Sequence, residues 1–481
     1  MNMSGQRRRI ERAESCVSSV RQKSLTNTDA DIISTLPDFL LSHILSLLPT
    51  KDAVVTSTLS SRWRPLWTLV PLLDLDEYQL LRTQNQTFRF PEIVSRIFIL
   101  RNTVPNPAPI HKLRIRCFND CVPLHIDTWV RATFRHRVQE LDLSICTDPN
   151  EPLELPRSVF FCSTLVVLKL EGNFNILINP PSACDFPSLR ILELRYVKFA
   201  NSDSLSTLLN ACTVLQDLTL NANFTNLDNF NLVVLVDTLK TLDLRVEPSS
   251  YKVHINTPAL EYFSFSGPLG EDVVLENLPN LDDTLIDVDV QHGVGIQDYD
   301  VDVEHGVSIQ DYAKRVRDFM RPLSNIVDME LCIEVAEILY DASSHDDIPM
   351  FHNLNSLSLF GFHYFEWRVV QVLLHRTPKL QVLVFDLSAD HTSRSAIDGC
   401  LEKLQDVSEC LSSHLTACHY RELSGNGIEM ELLRQILKAA RVLKTMSISV
   451  EDTLDSEVKL RVWEEISKYQ RSSHSCQIAF D

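Results

Sequence analysis

The chain has 481 residues, a hydrophobic content of 44% and a formal net charge of −19 at pH 7. A chain of this length is expected to form two or three domains, or one long repeat array with a large core. The negative charge disfavours a general role in nucleic-acid binding, which needs clustered Lys and Arg, and the low glycine count of 11 disfavours phosphate-binding loops.

The N-terminal segment 1–30 contains a basic cluster at Arg7, Arg8 and Arg9 and has no apolar core. It therefore does not read as a secretory signal peptide, and we expect a disordered, solvated tail, with a nuclear-import signal as the alternative. The sequence also has no apolar run of about 18 residues, which argues against a transmembrane helix. We expect an intracellular protein, in the nucleus and/or the cytoplasm.

The stretch LPDFLLSHILSLLPTKDAVVTSTLSSRWRPLW, from Leu36 to Trp67, predicts three short helices. Pro37 suits the first position of a helix that Pro49 ends, Thr50 can cap a second helix, and Arg62–Trp67 supplies a third turn. The apolar residues of the first helix form a broad face that consists of Leu36, Leu40, Ile44 and Leu47, widened by Leu41, Leu45 and Leu48. About thirty residues are too few to bury so much apolar surface alone, which indicates contact with another protein.

The middle of the chain repeats one unit: an aliphatic residue, two variable residues, an aliphatic, one variable residue and an aliphatic. The units start at Val138, Leu165, Leu189, Leu215, Leu239, Leu260, Leu281 (degraded), Ile326, Leu354, Leu380 and Leu443. The first six are 27, 24, 26, 24 and 21 residues apart, near the period of leucine-rich repeats. The last three positions alternate as in a strand, so the aliphatic residues face a shared core and the residue between them faces outward. Unrelated strands of an α/β domain are the alternative.

The repeats are not uniform. The asparagine that closes the turn of a regular repeat is present at Asn173 and Asn223, but Val197, Glu247 and Phe362 replace it elsewhere. We therefore expect an irregular solenoid.

A tandem duplication interrupts the array at 287–312. The block DVDVQHGVGIQDY, which starts at Asp287, is followed directly by DVDVEHGVSIQDY, which starts at Asp300. We expect a surface loop, where added length costs little closure entropy. Its carboxylates stand near His292 and His305, but nothing fixes a ligand geometry, so an acidic solvated loop is favoured over a metal site.

The C-terminal part, 410–481, predicts an amphipathic helix followed by a strand. The inward residues are Leu432, Leu433, Ile436, Leu437 and Ala440 in the helix, and Leu443, Met446 and Ile448 after it. Such a unit would cap the open end of the solenoid.

These motifs carry a family resemblance. The run ISTLPDFLLSHILSLLPTKDAVVTSTLSSRWRPLW resembles an F-box, the adaptor-binding module of cullin–RING ubiquitin ligases, and Cys410–Ser449 resembles the FBD region of plant F-box proteins with leucine-rich repeats. The resemblance implies an α/β fold class. Its parts are a small three-helix F-box (31–75), an irregular leucine-rich-repeat solenoid with a parallel sheet on the concave face and helices and loops on the convex face (76–409), and an FBD cap (410–481).

The resemblance also implies a function. The chain would be the non-catalytic substrate-recognition subunit of an SCF-type ubiquitin ligase (Skp-type adaptor, cullin, RING subunit and F-box protein), acting by tethering a protein substrate. A repeat scaffold with no ligase role is the alternative. The expected adaptor-binding residues are Leu36, Pro37, Ile44, Leu45, Leu48, Pro49, Val54, Leu59, Trp63 and Trp67. For Trp63 and Trp67, a place in the interface and a place in the core of the module remain equally open.

Substrate contact is expected at outward strand positions, for which simple solvation is the alternative. The candidates are Lys169, Glu171, Glu193, Arg195, Thr219, Asn221, Asp243, Arg245, Ser264, Glu330, Ser358, Phe360 and Asp386. Phe360, Arg195 and Arg245 lead, because aromatic and arginine side chains dominate binding energies at protein interfaces.

An enzyme has little support from the sequence. The segments HLTACH (from His414) and CFNDC (from Cys117) bring Cys and His close together, but neither completes a four-ligand zinc pattern, so buried thiols are favoured. No G-x-S-x-G motif is present. We expect no cofactor, no metal, no nucleic-acid partner and no membrane partner.

Overall fold

The computed structural model of this chain describes most of it. The described residues are 32–81, 89–103, 108–119, 122–134, 137–148, 152–222, 230–246, 251–270, 272–288, 309–341, 348–362, 367–388 and 407–480. The basic tail, Asn223, Glu247 and residues 289–308 of the duplicated loop lie outside them, and the expectations placed there stay predictions.

The described part of the chain begins with a small helical module. Its helices are α1 (Ile32–Thr35), α2 (Asp38–Ser46) and α3 (Thr50–Val55), with 3-10 turns at Thr56–Thr58 and Leu66–Leu69. Pro37 and Pro49 are the N-cap residues of α2 and α3. Thr50 is therefore not the cap that the sequence predicts: its hydroxyl accepts the backbone N–H of Asp74 at 2.8 Å and joins the module to the sheet.

The strands of the structure are short and regularly spaced. They are β1 (Leu72–Asp76), β2 (Lys112–Cys117), β3 (Glu140–Ile145), β4 (Leu153–Glu154), β5 (Val167–Gly172), β6 (Ile176–Ile178), β7 (Ile191–Phe199), β8 (Asp217–Ala222), β9 (Phe230–Val234), β10 (Thr241–Val246), β11 (Tyr251–Asn256), β12 (Tyr262–Gly267), β13 (Asp272–Glu276), β14 (Asp283–Val288), β15 (Asp328–Cys332), β16 (Ser356–Phe362), β17 (Val382–Ser388), β18 (Ala417–Leu423), β19 (Thr445–Val450) and β20 (Gln477–Phe480).

One parallel sheet runs through nearly the whole chain. Its spatial order is β1-β2-β3-β5-β7-β8-β10-β12-β14-β15-β16-β17-β18-β19-β20, and each neighbouring pair is parallel. Strands thus follow one another almost in chain order, as in a solenoid in which each repeat contacts only its neighbours. The degraded unit at Leu281 supplies β14, which pairs on both sides.

The segments between these strands form a second layer. Its helices are α4 (Glu77–Leu80), α5 (Phe90–Asn102), α6 (Pro123–Thr133), α7 (Ser204–Asn210), α8 (Ile309–Met320), α9 (Ile333–Asp341), α10 (Trp367–Arg376), α11 (Glu409–Ser413), α12 (Gly427–Ala439) and α13 (Ser456–Ser467), with 3-10 turns at Val159–Phe161 and Arg321–Leu323. The middle repeats instead use the parallel strands β9, β11 and β13. Those repeats are the shortest, and an extended segment covers the same distance with fewer residues than a helix does.

Inward-facing aliphatic side chains form the core. Leu168, Leu192, Leu218, Leu242 and Phe263 stand side by side on five successive strands of the sheet, and each is buried. The residues between these positions point to the opposite side, which we call the open face. The expected α/β fold class, with a small helical module ahead of a parallel-sheet solenoid, is confirmed.

The irregularity of the solenoid is visible at the ends of the strands. Asn173 donates from Nδ2 to the carbonyl oxygen of Thr147 at 3.1 Å, and the buried Asn175 donates to the same oxygen at 2.9 Å. Val197, which replaces the turn asparagine one repeat later, is buried, and the register shifts there because Tyr196 takes a φ of 52°. A polar turn closure in one repeat is therefore followed by an apolar one in the next.

The C-terminal end adds two further layers of repeat. All eight inward residues that the sequence predicts in α12 and after it are buried. Beyond them, α13 and β20 extend the array by one strand, which the repeat pattern does not reveal; Trp463 packs against Phe480 there with ring centroids 5.4 Å apart.

Glu429 anchors the start of α12. Its Oε2 accepts the N–H groups of Gly425 (2.9 Å) and Asn426 (3.2 Å) and the hydroxyl of Ser424 (2.8 Å), while its Oε1 accepts the hydroxyl of Tyr420 (3.1 Å). Asn426 in turn caps the helix, accepting the N–H of Glu429 at 2.9 Å. Burial raises the pKa of Glu429 above its ordinary value, although these hydrogen bonds act in the opposite direction.

This carboxyl should make the stability of the C-terminal region depend on pH. Because the folded state holds the proton of Glu429 more tightly than the unfolded chain does, the free energy of unfolding should fall as pH rises from about 4.5 through the raised pKa. Glu429→Gln keeps an acceptor for the N–H groups and should remove this slope, whereas Glu429→Ala should cost about 2 to 4 kcal/mol because buried donors lose their partner. Urea denaturation from pH 4.5 to 8 tests this; identical slopes for the wild type and Glu429→Gln would contradict it.

Candidate functional site

The helical module buries part of its apolar surface in a core that is continuous with that of the sheet. Leu45, Trp63 and Trp67 are 1%, 7% and 6% exposed, and Leu41 is fully buried beside them. Arg62 closes the module by an ion pair to Asp38 at 2.7 Å. Of the residues predicted to bind the adaptor, these two tryptophans and Leu45 therefore support the module from inside, and direct contact through them has no geometric basis in this arrangement.

The same module presents an apolar face to solvent. Phe39, Leu47 and Leu59 are 69%, 74% and 66% exposed, and the other apolar members of this exposed face are Ile33, Leu40, Ile44, Leu48 and Val55. Pro37 and Pro49 are exposed as well, while Leu36 and Val54 are half-buried. A single packed unit rarely leaves so many large apolar side chains in water, and such a patch marks a contact surface.

An apolar groove continues this face. It has a volume of about 440 Å³ and lies between α3 and α5, where Val54 and Val55 of the module oppose Ile93, Ile97 and Leu100. Lys51, Glu92 and Arg96 stand around it and give it a polar rim. The exposed apolar surface thus extends from the module onto the first long helix of the solenoid.

On the open face, the first strands carry charges that pair with one another. Arg114 of β2 lies 3.3 Å from Asp74 and 3.4 Å from Asp142, its neighbours on either side. Lys169 and Glu193, both predicted substrate contacts, form an ion pair with each other. This part of the open face is therefore already neutralised by charges of alternating sign.

A cavity of about 330 Å³ opens further along the same face. The residues that line it are Arg195, Thr219, Asn221, Asp243, Arg245, Ser264, Ser266, Leu285, Asp287, Glu330 and Phe360. They come from seven neighbouring strands of the sheet, from β7 to β16, whose outward positions lie in register. The open face thus brings polar and charged groups from several strands together in one cavity.

The cationic end of the cavity combines two exposed arginines with one buried acceptor. Arg195 approaches Glu193 only at 3.6 Å, and Arg245 has no ion pair to any residue that the structure describes. Between them Asn221 is 7% exposed, and its side-chain oxygen is buried without a hydrogen-bond partner in the described part of the chain. Such a group costs free energy until a ligand or water pairs with it.

The other end of the cavity is acidic. Asp287 accepts the hydroxyl of Ser266 at 2.9 Å, and Glu330 stands on the next strand along with Phe360 beyond it. Burial, followed by the nearby carboxylates of Asp328 and Glu330, raises the pKa of Asp283. The carboxylates here repel one another, so this end favours a cationic partner.

The structure separates the predicted substrate contacts into two groups. Eight of them line the cavity. The rest lie outside it, and four of these are already engaged. Lys169 pairs with Glu193, and Asp386 pairs with Arg421 at 2.7 Å, while Glu171 accepts the hydroxyl of Ser144 at 2.9 Å. Ser266, Leu285 and Asp287 were missed, although the outward positions of the unit at Leu281 and of its predecessor would have identified all three.

The cysteines are mostly buried thiols, as expected for Cys410 and Cys418. Burial raises the pKa of Cys418 to about 12, which disfavours the reactive thiolate. Cys117 differs from the expectation, since it forms a disulfide whose partner lies outside the described residues.

In the described ranges, no three His, Cys, Asp or Glu side chains are arranged to hold a metal ion, and no helix is long and apolar enough to cross a membrane.

Comparisons with known proteins agree with this architecture. The F-box domain family matches residues 33–75, the leucine-rich repeats of the FBD-associated F-box protein At5g56370 match residues 126–305, and the FBD family matches residues 402–448. The chain is 31% identical over 462 residues to the Arabidopsis thaliana F-box/FBD/LRR-repeat protein At5g56420, covering 94% of this chain and 99% of the relative.

Two other Arabidopsis thaliana proteins are similar over the same extent. The FBD-associated F-box protein At5g56370 is 29% identical, and the putative FBD-associated F-box protein At3g50710 is 28% identical, each covering 94% of this chain and 100% of the relative. Full-length similarity and all three domain matches lead to one conclusion: the chain belongs to the F-box/FBD/LRR-repeat family of plant proteins.

Proposed function

We propose that this chain is the substrate-recognition subunit of an SCF-type ubiquitin ligase, in which the F-box module binds a Skp-type adaptor and the repeats hold a protein substrate. The adaptor would connect the chain to a cullin and a RING subunit. The chain itself would perform no chemistry: tethering raises the effective concentration of substrate lysines near the ubiquitin-loaded enzyme. The complex would act in the nucleus and/or the cytoplasm.

The observation that carries the proposal is the exposed apolar face of the module. Its most exposed members are Phe39, Leu47 and Leu59, and the groove against α5 widens it. An obligate or long-lived partner would remove this surface from water, at roughly 25 cal/mol per Å² of apolar area. Leu36, Pro37, Ile44, Leu48, Pro49, Val54 and Leu59 are exposed or half-buried and remain the proposed contacts.

The test is co-purification of the full chain with a plant Skp-type adaptor, alone and together with a cullin and a RING subunit. A complex with one copy of each that persists through size-exclusion chromatography at micromolar concentration is the expected result. A chain that is folded by circular dichroism yet elutes apart from the adaptor would overturn the ligase role and leave a repeat scaffold.

Substrate capture should depend on the cationic end of the cavity. Arg195→Glu combined with Arg245→Glu replaces two cations by two anions next to Asp243 and Glu330, so a substrate group attracted by the arginines would be repelled. Proteins enriched by proximity labelling with the wild-type chain should be reduced at least tenfold with this variant, at unchanged adaptor binding. An unchanged set of captured proteins would show that the arginines are merely solvated.

A further inference from the structure

We propose that the cavity on the open face binds an extended peptide that places an anionic side chain between Arg195 and Arg245 and a cationic side chain beside Asp287 and Glu330. This inference rests on the proposed function in that it names the chemical class of the substrate, but the binding itself needs no adaptor. The anionic group is a carboxylate or a phosphate.

Asn221 provides the evidence for a peptide backbone. Its side chain is more than nine-tenths buried at the bottom of the cavity, and its amide oxygen lacks a donor among the described residues. A buried acceptor of this kind lowers the stability of the free protein, so its presence is best explained by a donor that arrives with the ligand. The N–H of an extended backbone is such a donor, and extended segments present one at every second residue on the same side.

The two arginines on either side of Asn221 select an anion. Arg195 and Arg245 lie on β7 and β10, the strands that pair with β8 on each side, and both are aligned with Asn221. Strands in a sheet are about 4.8 Å apart, which puts the two Cα atoms roughly 10 Å from each other. A carboxylate or phosphate that lies between the two arginines, beside the backbone N–H that Asn221 accepts, can therefore reach both guanidinium groups, which suit such anions geometrically.

The acidic end selects a cation. Asp287 and Glu330 lie three and four strands beyond Asn221, about 14 to 19 Å away at the same spacing. At about 3.3 Å per residue, this distance corresponds to four to six residues of extended peptide. Even spacings of four or six put both charged side chains on the side that faces the sheet. Leu285 and Phe360 line the same end of the cavity and offer apolar contact to a neighbouring side chain.

The test uses fluorescein-labelled ten-residue peptides and the full chain, purified alone and then mixed with a plant Skp-type adaptor, with binding read out by fluorescence anisotropy. The peptides carry Glu or phosphoserine together with Lys, four or six residues apart and in both orders, within a Ser/Ala/Val background. Peptides with both charges should bind at least tenfold more tightly than peptides with one charge or none, and salt should weaken binding. The Glu and phosphoserine series show which anion is preferred.

Variants connect the affinity to individual side chains. Arg245→Glu should weaken binding of the two-charge peptide at least tenfold, and a peptide with Lys in place of the acidic residue should recover part of the loss. Asn221→Leu should weaken all binding peptides alike, because it removes an acceptor for the backbone, and should leave the melting temperature unchanged or higher. The matched control is Arg116→Gln, which changes an arginine of the open face that lies 3.8 Å from Asp76 on the neighbouring strand, outside the cavity.

Three results would overturn the proposal. The first is equal affinity for charged and uncharged peptides, and the second is unchanged peptide affinity in Arg245→Glu. The third is binding of free glutamate or inorganic phosphate as tight as binding of the peptide, which would assign the cavity to a small anion. Adaptor binding is measured on the same samples. Peptide binding without adaptor binding would refute the ligase role alone, and adaptor binding without selective peptide binding would refute this inference alone.

Discussion

A chain that carries Phe39→Asp and Leu47→Asp should lose adaptor binding by at least a hundredfold and keep its fold. Both side chains lie mostly in water, at 69% and 74% exposed, so their replacement removes little packing. Placing two carboxylates in a desolvated interface is costly, because each would be buried without a partner. Binding is measured by surface plasmon resonance with immobilised adaptor, and folding by thermal melting.

The matched control is Leu460→Asp, which changes a leucine of α13 that is 54% exposed at the other end of the chain. It should leave both adaptor binding and the melting temperature unchanged. If the double variant bound the adaptor normally, the exposed face of α2 would not be the contact surface, even if the other helices of the module contacted the adaptor.

Trp63→Ala should act on the same binding event by a different route. Trp63 is 7% exposed within the module core, and truncating a buried tryptophan typically costs about 3 to 5 kcal/mol. The module should then open locally, seen as loss of amide-exchange protection in α2 and α3, while the repeats stay protected. The adaptor is expected to bind only the closed form, so its apparent affinity should fall in proportion to the fraction of modules that are closed. A high adaptor concentration should restore the amide-exchange protection of α2 and α3.

Recovery of exchange protection at high adaptor concentration distinguishes a core residue from an interface residue. Trp463→Ala serves as the control, since Trp463 packs on Phe480 in the last repeat and should affect only that end. If Trp63→Ala abolished adaptor binding while α2 and α3 kept full exchange protection, Trp63 would belong to the interface and the core assignment would be wrong.

The fold can be predicted well from the sequence because the regular spacing of the leucines follows from the need to bury them. Leu168, Leu192 and Leu218 must all face inward, so the spacing of leucines reveals both the strands and their outward positions. It reveals less at the ends. β1 and β2 have alternating residues, Leu73 and Leu75, then Leu113 and Ile115, but lack the leucine-rich approach that marks later repeats.

The site is harder to read from the sequence, since charge pairing depends on which strands become neighbours. Lys169 and Arg245 look equivalent as outward cations. In the fold, Lys169 meets Glu193 on the next strand, whereas Arg245 meets Asn221 on one side and Ser266 on the other and stays available. For α2 the helical period identifies one broad apolar stripe, but only the packing of Trp63 and Trp67 decides that Leu41 and Leu45 turn inward and Phe39 and Leu47 outward.

The alternation of inward and outward positions also bears on which substitutions the sheet tolerates. Leu220, Leu244 and Phe265 are buried on the packed side of the sheet and stabilise the fold. Asn221, Arg245 and Ser266, one residue later in each case, line the cavity on the open face. Substitutions at these outward positions can therefore change the chemistry of the cavity while the packed side of the sheet stays the same.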